Sequence, residues 1–141
     1  MDKRIIKFLK KHHVCTLATS CEGQPWCASV FYVFLEEETA LVFTSDPATR
    51  HMTEVRCNQK VAGAIAVETE VIGLIRGVQF SGVVLAPPDP EIEKQVRKVY
   101  LKRFPYAILN TSPLWILELH EVKYTDNRLG FGTKIRWRKS P

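Results

Sequence analysis

A chain of 141 residues with 45% hydrophobic side chains has the length of one domain and can bury one core without staples. No apolar run reaches the roughly 18 residues that a membrane-spanning helix needs, and the start, Met1-Asp2-Lys3-Arg4-Ile5-Ile6-Lys7, lacks the apolar centre of a secretory signal, so a cytoplasmic protein is expected. The formal net charge of +5 fits nucleic acid, an anionic membrane surface or an anionic small ligand, and chooses none of them.

In chain order, Lys3 to His13 reads as a short amphipathic helix, with Asp2 as its cap and Ile5, Phe8, Leu9 and His12 on one face. Val14 to Thr19 and Trp26 to Phe34 read as two strands of a hairpin around Cys21-Glu22-Gly23-Gln24. Glu36-Glu37-Glu38-Thr39 makes the next turn, and Ala40 to Thr44 a third strand. Asp46-Pro47 then opens a helix to about Cys57, with Asp46 at the N-cap.

Val61 to Val67 is a fourth strand, whose Gly63 and Ala64 leave room for a bulky neighbour. A long fifth strand runs from about Ile72 to Leu85, with Gly73, Gly77 and Gly82 marking bends or bulges that curl a sheet. Asp89-Pro90 starts a helix with Ile92, Val96, Val99 and Tyr100 on one face and Lys94, Arg97, Lys98, Lys102 and Arg103 around the rest. Leu114 to Leu119 is a sixth strand and Val122 to Thr125 a seventh after a tight corner, followed by a loop and a short terminal strand. These elements predict a mainly β, six- to seven-stranded antiparallel barrel with flanking helices, residues 1–141 forming one domain. The core of so small a barrel is filled by side chains, so a ligand must sit at its mouth, on its flank or between two copies.

The stretch Phe43 to His51 is the first candidate site. A strand running into a helix start offers free N–H groups and the positive dipole end, to which Thr44, Ser45 and Thr49 add hydroxyls and Arg50 and His51 add nitrogen donors. A phosphate fits there; so does an ordinary capped helix, and Asp46 argues for the latter. Cys15, Cys21, Cys27 and Cys57 form no C-x-x-C pair, and His12, His13, His51 and His120 do not join them at ligand spacing. No metal is expected, and reduced, mostly packed thiols are. Trp26 and Trp137 read as packing residues, and Arg76 as either a ligand contact or half of a barrel-rim ion pair.

The order of elements resembles the pyridoxamine-phosphate oxidase-like flavoproteins of the FMN-binding split-barrel fold. The strings Leu74-Ile75-Arg76-Gly77-Val78-Gln79-Phe80, Arg103-Phe104-Pro105 and Asp126-Asn127 through Leu129-Gly130-Phe131-Gly132 resemble most closely a bacterial branch of that family, the YhbP-like proteins. The resemblance implies FMN at the interface of a homodimer, its phosphate at Thr44, Ser45, Thr49, Arg50 and His51 and its ring along Ala28, Ser29, Val30 and Phe31. It also implies that Trp115 and Lys134 reach the flavin from the partner subunit, with the tail 126–141 at the dimer interface. In its apolar strand Trp115 reads first as a core or dimer-contact residue and only second as a cover for the flavin. The small residues near Gly63 and Ala64 give a reason for a flat ring to fit nearby.

One departure counts against one activity. Oxidases acting on pyridoxamine phosphate carry an Arg-x-His pair in the C-terminal segment, where this chain reads Gly130-Phe131-Gly132-Thr133-Lys134-Ile135-Arg136. No nucleophile–base arrangement stands out, and no catalytic residue is assigned. The expectation is an FMN-dependent oxidoreductase of unknown substrate; a non-catalytic flavin carrier or sensor is the alternative, and a basic nucleic-acid module ranks last.

Overall fold

The computed structural model describes residues Met1–Pro141. Its elements are α1 (Lys3–Lys11), β1 (Val14–Cys21), β2 (Gln24–Phe31), β3 (Val33–Leu35), β4 (Ala40–Thr44), α2 (Arg50–Cys57), β5 (Lys60–Ala66), β6 (Arg76–Leu85), α3 (Pro90–Arg103), β7 (Leu114–Asp126) and β8 (Lys134–Arg138), with 3₁₀ turns at Ile72–Leu74, Pro105–Leu109 and Asn127–Leu129. The strands form one antiparallel sheet in the order β2-β1-β5-β6-β7-β4-β3, with β8 added on β7. This is the mainly β, curled split barrel with three helices that the sequence predicts.

Two long strands make the curl. β7 pairs with β4 through residues 114–118 and with β8 through residues 121–125, so one strand serves two neighbours in succession. Between those halves the register with β6 shifts at Ser81/Gly82, leaving His120 as the extra residue of a bulge. The predicted sixth and seventh strands are therefore one strand bent at His120, because a bulge turns the chain without breaking its ladder. Gly82 is required there: a Cβ would lie 2.1 Å from the Glu118 carbonyl oxygen.

The core inside the curl includes Leu17, Leu41, Phe43, Leu117 and Leu119, all essentially buried, and each contributes about 1.5–3 kcal/mol by burial. α1 closes one side of the core with Ile5, Phe8 and Leu9, and Tyr32 Oη donates to the Leu9 carbonyl at 2.9 Å. Both predicted caps of α1 and α3 are present: Asp2 accepts from Arg4 N at 2.8 Å and Asp89 from Ile92 N at 2.9 Å.

Several expectations need correction. The strand predicted over Trp26 to Phe34 breaks at the buried Tyr32, whose N–H turns to the His13 carbonyl at 2.8 Å. Ile72–Leu74 is a 3₁₀ turn, so the long strand begins at Arg76. α2 begins at Arg50, not at Pro47, with Thr49 at its N-cap; Asp46 caps only the preceding turn, accepting from Ala48 N at 2.8 Å. The room at Gly63 is filled by the protein itself, because the Phe80 ring lies where a Cβ at Gly63 would stand.

The cysteines also depart from expectation. Cys21 and Cys57 are joined in a disulfide between the end of β1 and the last residue of α2, with Cα atoms 5.8 Å apart. No C-x-x-C spacing announces a pair that only the β1–α2 packing brings together. Cys27 is exposed rather than packed, while Cys15 is buried and burial pushes its thiol up to about 12. No helix is long and apolar enough to cross a membrane.

Candidate functional site

A cavity of about 580 Å³ opens where the β4–α2 junction meets β2 on one side and the end of α3 with the Pro105–Leu109 turn on the other. Ser29, Val30, Phe31, Thr44, Ser45 and His51 line one wall; Tyr100, Arg103, Phe104, Tyr106 and Asn110 line the facing one. No aspartate or glutamate lines it. The apolar body with a few converging polar groups, at this volume, is the usual form of a cofactor or small-molecule site.

The polar wall is wired locally. Ser45 ends the buried strand and is itself 8% exposed; its Oγ lies 2.7 Å from His51 Nε2 and 3.5 Å from Thr49 Oγ1. Thr49 Oγ1 donates to the Asp46 carbonyl at 2.8 Å and lies 3.3 Å from His51 Nε2. Behind this cluster Trp115 Nε1 donates to the Ser45 carbonyl at 3.0 Å, fixing the strand end from the neighbouring β7. Burial pushes the His51 imidazole below its ordinary pKa, outweighing the opposing pull of Glu54, so the ring is neutral near pH 7. Thr44 Oγ1 is 3.4 Å from Tyr100 Oη, which links the two walls.

Arg50 is committed elsewhere. Its Nε donates to Glu54 Oε1 at 3.2 Å and its guanidinium lies 3.9 Å from the centre of the Trp26 ring. Glu54 is buried, accepts from Thr19 Oγ1 at 2.6 Å and is held below its ordinary pKa first by that bond and then by Arg50. Trp26, expected to be a packing residue, is 43% exposed and serves as the platform for Arg50. Arg103 is the cation that faces the cavity without a carboxylate partner; its Nη2 donates to the His12 carbonyl at 2.5 Å.

Six of the eleven residues singled out in sequence thus share one cavity: Ser29, Val30, Phe31, Thr44, Ser45 and His51. Thr49 joins them through its hydrogen bonds and Trp115 supports them from behind. Ala28 lies beside them on β2, and Arg50 lies on the adjoining surface. Lys134 does not join them within one chain: it pairs with Thr125, ten residues along β7 from Trp115, a strand distance of about 30 Å. Sequence reasoning missed the facing wall. Arg103-Phe104-Pro105 was visible as a string, but only the fold places it opposite Ser45.

Comparison with known proteins agrees with this architecture. A UPF0306 protein of Photorhabdus laumondii is 42% identical over 135 residues, covering 96% of this chain and 94% of that one. Among solved structures, a heme binding protein from Mycobacterium smegmatis superposes with a TM-score of 0.74 at 22% identity, covering 89% of this chain; the chain spans about half, 52%, of that protein. A FAD-binding protein from Mesorhizobium loti superposes with a TM-score of 0.70 at 19% identity, covering 84% of this chain and 87% of that one. These two share the fold. The family model described as pyridoxamine 5'-phosphate oxidase matches residues 1–126, and with the close UPF0306 relatives it establishes that this chain belongs to the pyridoxamine 5'-phosphate oxidase-like family.

Proposed function

We propose that the protein binds FMN in the cavity at the β4–α2 junction as a homodimer, and that it is a flavin-dependent oxidoreductase. The observation that carries the reading is the donor set of that junction. Hydroxyls of Thr44, Ser45 and Thr49, the His51 ring and the N-terminal turn of α2 converge on a cavity free of carboxylates, which suits a phosphate. Arg103 supplies uncompensated positive charge from the facing wall. The edge strand β2 has no neighbour beyond β1, so the backbone groups along Ala28 to Phe31 that point away from β1 could bond the edge of a flat heterocycle.

When bound, the flavin supplies hydride or electron transfer. The chain's own part is to seat the phosphate, orient the ring along β2 and exclude water with Phe31, Tyr100, Phe104 and Tyr106. A second copy would cover the apolar groups around the cavity mouth, where Phe31 is 57%, Tyr106 92% and Leu109 87% exposed. Lys134 and the tail 126–141 would reach the cofactor only from that second copy.

Titrating the purified protein into FMN tests the reading. Saturable quenching of flavin fluorescence is expected, and its absence would contradict FMN binding. NAD(P)H-dependent reduction followed by reoxidation would support an oxidoreductase; bound flavin inert to both would mark a carrier or sensor instead.

A further inference from the structure

A second cavity, of about 310 Å³, lies where α1 packs over the start of β6 and the end of β7, and it shares no lining residue with the first. Five cations line it, Arg4, Lys7, Lys11, Arg76 and Arg128, against the single carboxylate of Asp126. That carboxylate is saturated: Arg128 Nε and Nη2 donate to its two oxygens at 2.9 and 2.7 Å, and Tyr124 Oη donates at 2.9 Å. Arg4 is likewise paired, with Asp2 at 2.9 Å. Lys7, Lys11 and Arg76 have no carboxylate within ion-pair reach.

Arg76 is the informative member. Its Nε is shut off from solvent and has no hydrogen-bond partner, a costly state for a charged donor that native structures seldom leave uncompensated. The other such atom in the molecule, His12 Nε2, belongs to a ring whose centroid lies 4.2 Å from that of Phe8, in the cavity wall. Arg4, Lys7 and Lys11 fall at i, i+3 and i+7 along one stripe of α1, where like charges repel. Compensation of the helix dipole accounts for Lys11 in the last turn. The ion pair with Asp2 accounts for Arg4; neither device accounts for Lys7 in an earlier turn or for Arg76 on a different element. An anion with several negative charges would supply the acceptor that these groups lack.

We propose that this cavity binds a small phosphate-type oxyanion, a diphosphate or phosphate-ester group, with Arg76 as the donor at its buried end and Lys7 and Lys11 as rim cations. Three unpaired cations match a multiply charged group better than a single carboxylate. The buried guanidinium nitrogen and the Phe8, Tyr124 and Leu129 side chains give the site a concave, partly apolar form, unlike the open basic stripe that tracks a nucleic-acid backbone. The inference does not depend on flavin binding.

Calorimetric titration of the flavin-free full-length protein with pyrophosphate tests it, with citrate and a single-stranded oligonucleotide as competing probes. Pyrophosphate is expected to bind with saturation at one site per chain. Arg76→Gln is expected to weaken that binding at least tenfold, and Lys7→Gln with Lys11→Gln several-fold; the two lysines are exposed, so the pair leaves the fold intact if Arg76→Gln does not. Ser45→Ala is expected to leave it unchanged. Absence of saturation, or insensitivity to both the Arg76 and the lysine variants, would overturn the proposal. So would loss of binding in Ser45→Ala alone, which would put the probe in the first cavity. Citrate binding as tightly as pyrophosphate would overturn the phosphate class, and a salt-steep affinity for the oligonucleotide, lost in the same variants, would replace it with nucleic acid.

Discussion

The two cavities differ in what they would offer an anion. At the β4–α2 junction the donors are mostly neutral and already bonded to one another, Ser45 to His51 and Thr49 to the Asp46 carbonyl, and the local cation Arg50 is tied to Glu54. At the α1–β6–β7 end Arg4 and Arg128 are paired with Asp2 and Asp126, and Lys7, Lys11 and Arg76 are left without a carboxylate. A prewired cluster reads shape and hydrogen-bond geometry, whereas uncompensated charge reads valence. The first arrangement suits one defined cofactor; binding at the second should weaken more steeply as salt rises.

The disulfide separates the two most strongly. Cys57 anchors the end of α2, the helix whose start forms the first cavity, to β1 across 36 residues of sequence. Reduction, or Cys57→Ser, is expected to cost about 3–4 kcal/mol of stability through the freed loop, read as a lower Tm in thermal melts with and without reductant. Flavin affinity should fall with it at moderate temperature while pyrophosphate affinity persists. Equal melting curves in the two states would show that the bond does not hold α2.

Gly82→Ala should damage both cavities alike, because it strikes the bulge on which the two halves of β7 pivot. A loss of about 1–3 kcal/mol is expected from a Cβ forced against the Glu118 carbonyl, measured by urea denaturation. Arg50→Ala sharpens the contrast in the other direction. A free charge-assisted phosphate bond would be worth about 1.5–3 kcal/mol, but Arg50 already serves Glu54 and Trp26, so the expected loss of FMN affinity is about 1 kcal/mol or less.

Acidity gives the smallest effect and acts on both regions. His12 and His51 are both pushed below the ordinary 6.5 by burial. The unfolded chain therefore holds more protons than the folded one in the window below 6.5, and stability rises with pH through that window and falls as pH drops. The Tm should decline from pH 7 to pH 5, and His12→Gln together with His51→Gln should flatten the decline. Asp126, held well below the usual carboxylate range first by Arg128, contributes its loss only at far lower pH.

How much of this was legible in the chain follows from the range of the interactions. The Ser45–Thr49–His51 cluster spans seven residues and could be read as a donor set from spacing alone; Asp89-Pro90 likewise announced α3. Asp46-Pro47 used the same letters yet produced a turn, since Asp46 bonds Ala48 two residues on instead of a helical N–H three residues on. Gly63 advertised space, but the occupant was Phe80 from the next strand. The second cavity needed Lys7, Arg76 and Arg128 brought together from three segments, and Arg76 stood in sequence between two readings. No carboxylate lies within ion-pair reach of Arg76, so the rim ion pair is not formed.

The central claim, that the β4–α2 junction holds a flavin phosphate, is tested most directly by comparing FMN with riboflavin in one fluorescence titration. The account predicts saturable quenching by both, with FMN bound about ten- to hundredfold more tightly, the equivalent of 1.5–3 kcal/mol for the phosphate contacts. Equal affinities for the two flavins, or no quenching of either, would contradict it.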